Sequence, residues 1–167
     1  MQTIPSDFLA FSVTQLRLAE TQIQKCVAQL SEEQLWHRSG DYENSIANLL
    51  LHLEGNMRQW ILHGVAGQPD VRLRDEEFAL SPTMSGAQSL ATFTATLAEV
   101  CTALSTVTDG QLQHMTDPQP RPNIPPCTVL DAIYRVVCHV HHHSGQIILL
   151  TKQFVAHDLD LTLPRKR

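Results

Sequence analysis

The sequence predicts an all-α protein, a four-helix bundle whose helices run up, down, down and up. Four segments carry apolar residues at helical spacing. Between residues 64 and 85 no long periodic run appears. A connection of that length acts as a crossover, which lets the second and third helices run parallel, whereas a short loop would make them antiparallel. We expect no substantial sheet.

The length of 167 residues predicts one domain over 1–167. A net charge of −5 argues against a nucleic-acid partner, since phosphate binding needs clustered Lys and Arg, and the only basic cluster is 165–167. No apolar run reaches the roughly 18 residues that a membrane span needs. The first residues lack the features of a signal peptide, and the four cysteines form no disulfide pattern. We therefore expect a cytoplasmic protein.

We expect the first helix over 6–30. Pro5 and Asp7 supply start signals, and apolar residues then recur at helical spacing. Ser31 and Gln34 have the spacing of a capping box, in which each side chain satisfies a backbone N–H group of the other residue. This spacing predicts a short helical turn between the first and second helices.

We expect the second helix over 45–63, with one apolar face. His52 lies roughly 60° beyond Leu49 on the helical wheel, at the flank of that face. Asn56 and His63 follow on the same flank. A histidine at the edge of a core can reach inward without being wholly buried. The alternative interpretation of His52 is a partly buried side chain that is only hydrogen-bonded to a neighbour.

The crossover 64–85 allows two interpretations. It is either a solvated loop anchored by Phe78 or a lid over one end of the bundle. We expect the third helix over 86–106, because Ser85 and Gln88 have capping-box spacing and a narrow apolar seam follows. This helix contains no histidine and almost no charge, so we assign it to packing.

Five of the nine prolines fall within 118–126. That loop cannot be helical, and its rigidity suits it to form one wall of a pocket. We expect the fourth helix over 129–154, beginning with a cap formed by Thr128 and Asp131.

Four histidines occur close together in the fourth helix. Residues four apart lie on one helix face, about 5–6 Å apart at Cβ, so His139 and His143 can share one metal ion. His141 and His142 point elsewhere. Two ligands do not complete a site, so a third must come from another helix, and His52 is the candidate. Three neutral imidazoles with an open position form a catalytic zinc site and would equally suit nickel or iron.

The pattern differs from the H-E-x-x-H motif of zinc proteases, because Val140 stands where the glutamate base should be. We expect Asn56, one turn after His52, and Gln146 to support the ligands or to line the pocket. No carboxylate or cysteine is spaced as an obvious catalytic base or nucleophile. The alternative remains a set of histidines that only stabilises the fold.

Two motifs carry a resemblance to a known family. They are Asn48-Leu-Leu-Leu-His52-Leu-Glu-Gly-Asn56 and His139-x-x-x-His143-Ser-Gly-Gln-Ile147. Together they resemble the DinB-like superfamily of bacterial metal-dependent enzymes. The crossover sequence Arg72-Leu-Arg-Asp-Glu-Glu-Phe78 resembles that of one uncharacterised branch. The resemblance implies a metal triad of His52, His139 and His143 on an up-down-down-up bundle that is frequently a homodimer.

Characterised members of that superfamily include bacillithiol S-transferases and mycothiol-dependent maleylpyruvate isomerase. The resemblance therefore implies transfer of a low-molecular-weight thiol, as a metal-bound thiolate, to a small-molecule substrate. The alternatives are a hydrolase that uses metal-bound water and a non-catalytic metal-binding bundle. Arg72 and Arg74 could hold a carboxylate of the thiol or substrate by bidentate hydrogen bonds.

The fourth helix also carries apolar groups away from its core stripe. Cys138 and Leu149 lie on one line of the helix, with His142 between them. A partner surface explains apolar groups at these positions better than solvent does. We therefore expect a homodimer.

Overall fold

The computed structural model describes residues 3–123 and 125–162. This part of the chain is mainly helical, and its only sheet is a two-stranded hairpin, so the predicted all-α class is confirmed. None of its helices is long and apolar enough to cross a membrane. The basic cluster 165–167 lies outside the described residues.

The described residues form five α-helices and a few shorter elements. The helices are α1 (Ile4–Val27), α2 (Glu32–Trp36), α3 (Ile46–Met57), α4 (Gly86–Thr106) and α5 (Val129–Phe154). A π-helical turn, Arg58–His63, prolongs α3, and short 3-10 helices cover Arg74–Phe78 and Asp109–Gln113. Strands β1 (Met115–Thr116) and β2 (Cys127–Thr128) pair antiparallel before α5 begins.

Helices α3 and α4 run parallel, as the long crossover predicts. The hydroxyl of Thr96 donates to Oε1 of Glu54 at 3.0 Å. One turn later, at the start of the π-helical turn that prolongs α3, Nη1 of Arg58 lies 3.9 Å from Oε2 of Glu99, which is further along α4. Later residues of one helix therefore meet later residues of the other.

Helices α3 and α5 run antiparallel. The ring of His52 lies 5.0 Å from that of His143, centroid to centroid. Further along the α3 segment, Trp60 lies under the guanidinium of Arg135, at 4.8 Å, near the start of α5. Later residues of the α3 segment therefore meet earlier residues of α5.

Helix α1 runs antiparallel to α4. The hydroxyl of Thr3 donates to Oδ2 of Asp109, just beyond the end of α4, at 2.9 Å. At the other end, Nε2 of Gln24 donates to Thr94, near the start of α4, at 3.5 Å. Helix α4 runs parallel to α3, and α5 runs antiparallel to α3. The four long helices α1, α3, α4 and α5 therefore run up, down, down and up. The predicted topology is confirmed.

The four long helices meet in one apolar core. Fully buried side chains come from every one of them, and burial of each contributes roughly 1.5–3 kcal/mol. The set includes Leu16 and Ile23 of α1, Leu50 and Leu53 of α3, Phe93 and Leu97 of α4, and Ile133 and Val140 of α5.

Most helix boundaries agree with the sequence prediction. Helices α4 and α5 cover the predicted 86–106 and 129–154. Three predicted caps are present as reciprocal capping boxes: Ser31 with Gln34, Ser85 with Gln88, and Thr128 with Asp131. These local hydrogen bonds satisfy backbone N–H groups that a helix start leaves unpaired, which is why the sequence alone places them well.

The first helix differs from its predicted range of 6–30. It begins at Ile4, because Thr3 caps it and accepts a hydrogen bond from the backbone of Ser6 at 3.2 Å. Pro5 therefore lies in the first turn, where its missing N–H costs nothing. The helix ends at Val27.

The second helix also differs from prediction in its last part. Ser45 caps it and it reaches residue 63, as expected, but the backbone changes to a π-helical turn after Met57. In this wider turn the buried Gln59 side chain reaches the crossover, donating to Oδ2 of Asp70 at 2.8 Å and accepting from Nη1 of Arg72 at 3.0 Å. Apolar periodicity carries no signal for such a change.

Candidate metal centre

Three histidines from two antiparallel helices converge on one point. His52 comes from the middle of α3, and His139 and His143 come from successive turns of α5. The Nε2 atoms of His52 and His139 are 2.9 Å apart. One ring nitrogen from each of the three lies within 4.8 Å of the others. The structure therefore brings together the three residues that the sequence predicts as ligands.

The cluster lies at the edge of the core. His52 is buried, at 8 % exposure, whereas His139 and His143 are partly buried. The ring of Phe78 covers one side of His52, with the ring centroids 4.9 Å apart. Burial, together with the neighbouring imidazoles, lowers the pKa of His139 to about 3, and burial lowers the pKa of His143. These two imidazoles are therefore neutral at pH 7, as metal ligands must be.

A hydrogen bond to the other nitrogen orients two of the rings. An ionised carboxylate can only accept, so Nδ1–H of His52 donates to Oε2 of Glu77 at 2.8 Å. Likewise Nδ1–H of His143 donates to Oε1 of Gln146 at 2.6 Å. In both rings the remaining nitrogen, Nε2, then carries a lone pair, which is the tautomer that binds a metal through Nε2.

Arg72, which also belongs to the crossover, holds Glu77 in place. Nε of Arg72 donates to its Oε1 at 2.6 Å and Nη2 donates to its Oε2 at 2.8 Å, a bidentate ion pair. Burial alone would raise the pKa of Glu77, but hydrogen bonds from Arg72 and His52 outweigh it and leave that pKa below its usual value. The carboxylate therefore stays ionised although the side chain is buried.

Helix α3 provides the surface on which this pair rests. A Cβ atom at Gly55 would overlap Oε1 of Glu77, so the carboxylate fits only because this helical position is a glycine. One turn before His52, Nδ2 of Asn48 donates to the backbone oxygens of Glu77 and Ala79 at 2.9 and 3.2 Å. The crossover therefore lies along the middle of α3 beside His52, and not over an end of the bundle as a lid would.

The three nitrogens fit a divalent metal ion. Zinc bonds of about 2.0–2.1 Å in a tetrahedral arrangement separate neighbouring nitrogens by about 3.3 Å. The Nε2 atoms of His52 and His139 are 2.9 Å apart, and all three nitrogens lie within 4.8 Å of one another. Two imidazole nitrogens 2.9 Å apart need either a proton or a cation between them. Among the described residues no fourth His, Cys, Asp or Glu joins the cluster. The cluster could thus hold a metal ion that keeps an open coordination position.

Other residues singled out from the sequence lie around this centre in different ways. Gln146 is bonded to His143. Asn56 is buried, and its Oδ1 has no hydrogen-bond partner within the described part of the chain. His142 is exposed, and its ring packs edge-on against that of His143, with ring centroids 5.1 Å apart. His141 lies outside the cluster.

The two crossover arginines have different surroundings. All three guanidinium nitrogens of Arg72 bind protein groups on Glu77 and Gln59, and the side chain is only 4 % exposed. The buried Glu77 takes the bidentate contact of Arg72, and a role of Arg72 in binding a substrate carboxylate stays a prediction. Arg74 is exposed and lies over the ring of Phe78, 5.1 Å from its centroid.

Sequence reasoning did not single out Glu77. Three acidic residues, Asp75, Glu76 and Glu77, precede Phe78, and only the third is buried. Nothing in their spacing to His52 distinguishes it, because the contact depends on how the crossover folds back. The one usable signal is Gly55, a helix-interior glycine close to a histidine, which often marks the close approach of another group.

The fold and site define a helical bundle with a three-histidine cluster that could bind a metal ion. A family model described as "Protein of unknown function (DUF1572)" matches residues 3–167, so the chain belongs to the DUF1572 family. Comparison with curated proteins gave no match. Among solved structures the chain is similar to a conserved protein from Enterococcus faecalis, with a TM-score of 0.68 and 17% identity over 86% of this chain and 94% of that one. At this identity the likeness concerns the fold alone.

Proposed function

We propose that this chain is a metal-dependent enzyme of the DinB-like kind that transfers a low-molecular-weight thiol to a small electrophilic substrate. The observation that carries the proposal is the ligand set. His52, His139 and His143 converge as three imidazoles, and no carboxylate or thiolate joins them in the described part of the chain. The transferase assignment itself rests on the resemblance to the DinB-like superfamily.

The ligand set favours chemistry at the metal. A divalent ion held by three neutral ligands keeps its full charge and lowers the pKa of a coordinated water or thiol. The residues of the chain would hold the ion and orient the imidazole rings that bind it. Glu77 fixes the ring of His52, Gln146 fixes that of His143, and Phe78 packs against one side of the His52 ring.

A protein nucleophile is not suggested by the positions of the cysteines. Cys26 and Cys101 are buried, and burial raises the pKa of both thiols. Burial likewise raises the pKa of Cys127. Cys138 is exposed, but it is adjacent to His139 and on another side of α5. The nucleophile would therefore be brought to the site as a small thiol, or as water if the chain is a hydrolase.

The test is an assay of zinc- and nickel-loaded protein with bacillithiol, mycothiol or glutathione and an electrophilic acceptor. We expect turnover with at least one thiol. The variant His52→Ala should lose it, and His142→Ala, which changes a histidine outside the cluster, should keep it. Hydrolysis of ester or amide substrates without any thiol would favour the hydrolase alternative. No turnover of either kind by metal-loaded protein would leave a non-catalytic metal-binding bundle.

A further inference from the structure

The ion pair between Arg72 and Glu77 is unusually buried for a pair on a crossover. The two side chains are 4 % and 7 % exposed. Enclosing two charges in this way is costly unless their hydrogen-bonding capacity is satisfied. Here each carboxylate oxygen accepts from Arg72, and Oε2 also accepts from His52. The pair is therefore built around a third group, the imidazole of His52.

The rest of the crossover segment 70–78 reinforces this arrangement. Gln59 binds both Asp70 and Arg72, so the π-helical turn after α3 holds the segment at its first residues. Phe78, at the other end, lies against the ring of His52. The segment contacts the candidate centre through Arg72, Glu77 and Phe78, and all three contacts are made to one histidine, His52.

We propose that Glu77, held by Arg72, is a positioning residue for His52, so that docking of segment 70–78 and binding of a divalent cation at the three histidines stabilise each other. This inference rests on the metal-binding part of the proposed function. The carboxylate fixes Nδ1 of His52 as the donor and turns Nε2 towards His139. By thermodynamic linkage, if docking of the segment raises the cation affinity by some factor, cation binding raises the equilibrium constant for docking by the same factor.

A purely structural ion pair is the competing explanation. It would stabilise the crossover without changing cation affinity. Partners that orient a metal-binding histidine typically contribute 10–100-fold to metal affinity. The two explanations therefore predict different zinc dissociation constants for variants that still fold.

The test compares Glu77→Gln with Glu76→Gln in the full chain. Both substitutions remove one negative charge from adjacent positions of the same segment, but Glu76 is exposed. Zinc dissociation constants would come from competition with a chromophoric chelator. We expect at least about 10-fold weaker zinc binding for Glu77→Gln and a change within about twofold for Glu76→Gln. Arg72→Lys, which keeps the charge but loses the bidentate contact, should fall between them and serves as the second variant if Glu77→Gln does not fold.

Hydrogen exchange gives the reciprocal readout. Zinc should slow amide exchange in 70–78 in the unaltered protein and have little effect there in Glu77→Gln. Wild-type affinity in Glu77→Gln and Arg72→Lys, or exchange in 70–78 that zinc does not change, would overturn the inference while leaving the proposed function standing. Tight zinc binding without thiol transfer would overturn only the transferase assignment. An unaltered protein that binds no zinc would overturn both.

Discussion

Oε2 of Glu77 lies 2.8 Å from Nδ1 of His52, although the two residues are 25 positions apart in the sequence. This contact joins the crossover to the histidine that α3 contributes to the candidate centre. It requires Gly55, because a side chain at that position would occupy the space of the carboxylate. The arrangement of the centre therefore depends on residues that bind no metal themselves.

The substitution Gly55→Ala tests this packing. The new methyl group must displace a carboxylate that Arg72 and His52 both hold. Overpacking of this kind costs about 1–3 kcal/mol, which outweighs the gain of up to about 1 kcal/mol from replacing a helical glycine. We expect a net loss of about 1 kcal/mol in the free energy of unfolding, measured by urea denaturation with a chelator present.

Gly145→Ala is the matched control for that measurement. Gly145 is also inside a helix, but a Cβ atom there would meet nothing within 4 Å in the described part of the chain. This variant should gain about 0.5–1 kcal/mol. If Gly55→Ala were as stable as Gly145→Ala, the carboxylate would not be held as we describe.

The pattern of the sequence was enough to predict the bundle and the three histidines. Helix periodicity placed α4 and α5 correctly, and the i, i+4 spacing of His139 and His143 put both on one face. His52 followed from its place at the flank of an apolar face. These features depend on local geometry, which the order of residues along a helix determines directly.

The support of the centre could not be predicted in the same way. Glu77 reaches His52 only because a crossover without periodicity folds back along α3, and its neighbours Asp75 and Glu76 look equally suitable in sequence. For the same reason the sequence does not predict that Arg72 holds Glu77. Contacts made by irregular segments depend on tertiary packing, which leaves no periodic signal.

The metal-free protein should lose stability on mild acidification. Burial and the neighbouring imidazoles lower the pKa of His139 from 6.5 to about 3. A histidine whose pKa is lower in the folded state is protonated preferentially in the unfolded chain, so this contribution to stability is present above pH 6.5 and falls as the pH drops towards 3. Between pH 6.5 and 5.5 the loss from this group should be about 1 kcal/mol.

Comparison of the chelator-treated protein with His139→Asn isolates that contribution. The variant replaces the imidazole with a polar group that does not titrate. Its free energy of unfolding, from urea denaturation at several pH values, should fall less steeply below pH 6.5. Identical pH dependence in the two proteins would contradict the assigned shift of the pKa of His139.

The outer face of α5 predicts a homodimer. Tyr134 and Leu149 are 61% and 63% exposed, and Cys138 lies on the same side. Sedimentation velocity at micromolar concentration should show a dimer for the unaltered chain and a monomer for Leu149→Glu. Leu18→Glu, at an exposed apolar position of α1, is the control and should stay dimeric. A monomeric unaltered chain would rule out the dimer, and dissociation by Leu18→Glu alone would move the interface to α1.

The central claim is that His52, His139 and His143 bind one divalent metal ion. It is tested most directly by metal analysis of protein purified without an affinity tag, beside the variants His143→Ala and His142→Ala. We expect about one zinc, nickel or iron ion per chain, loss of most of it in His143→Ala and retention in His142→Ala, because only His143 belongs to the cluster. A chain that holds no stoichiometric metal, or one that loses it equally in both variants, would contradict the claim.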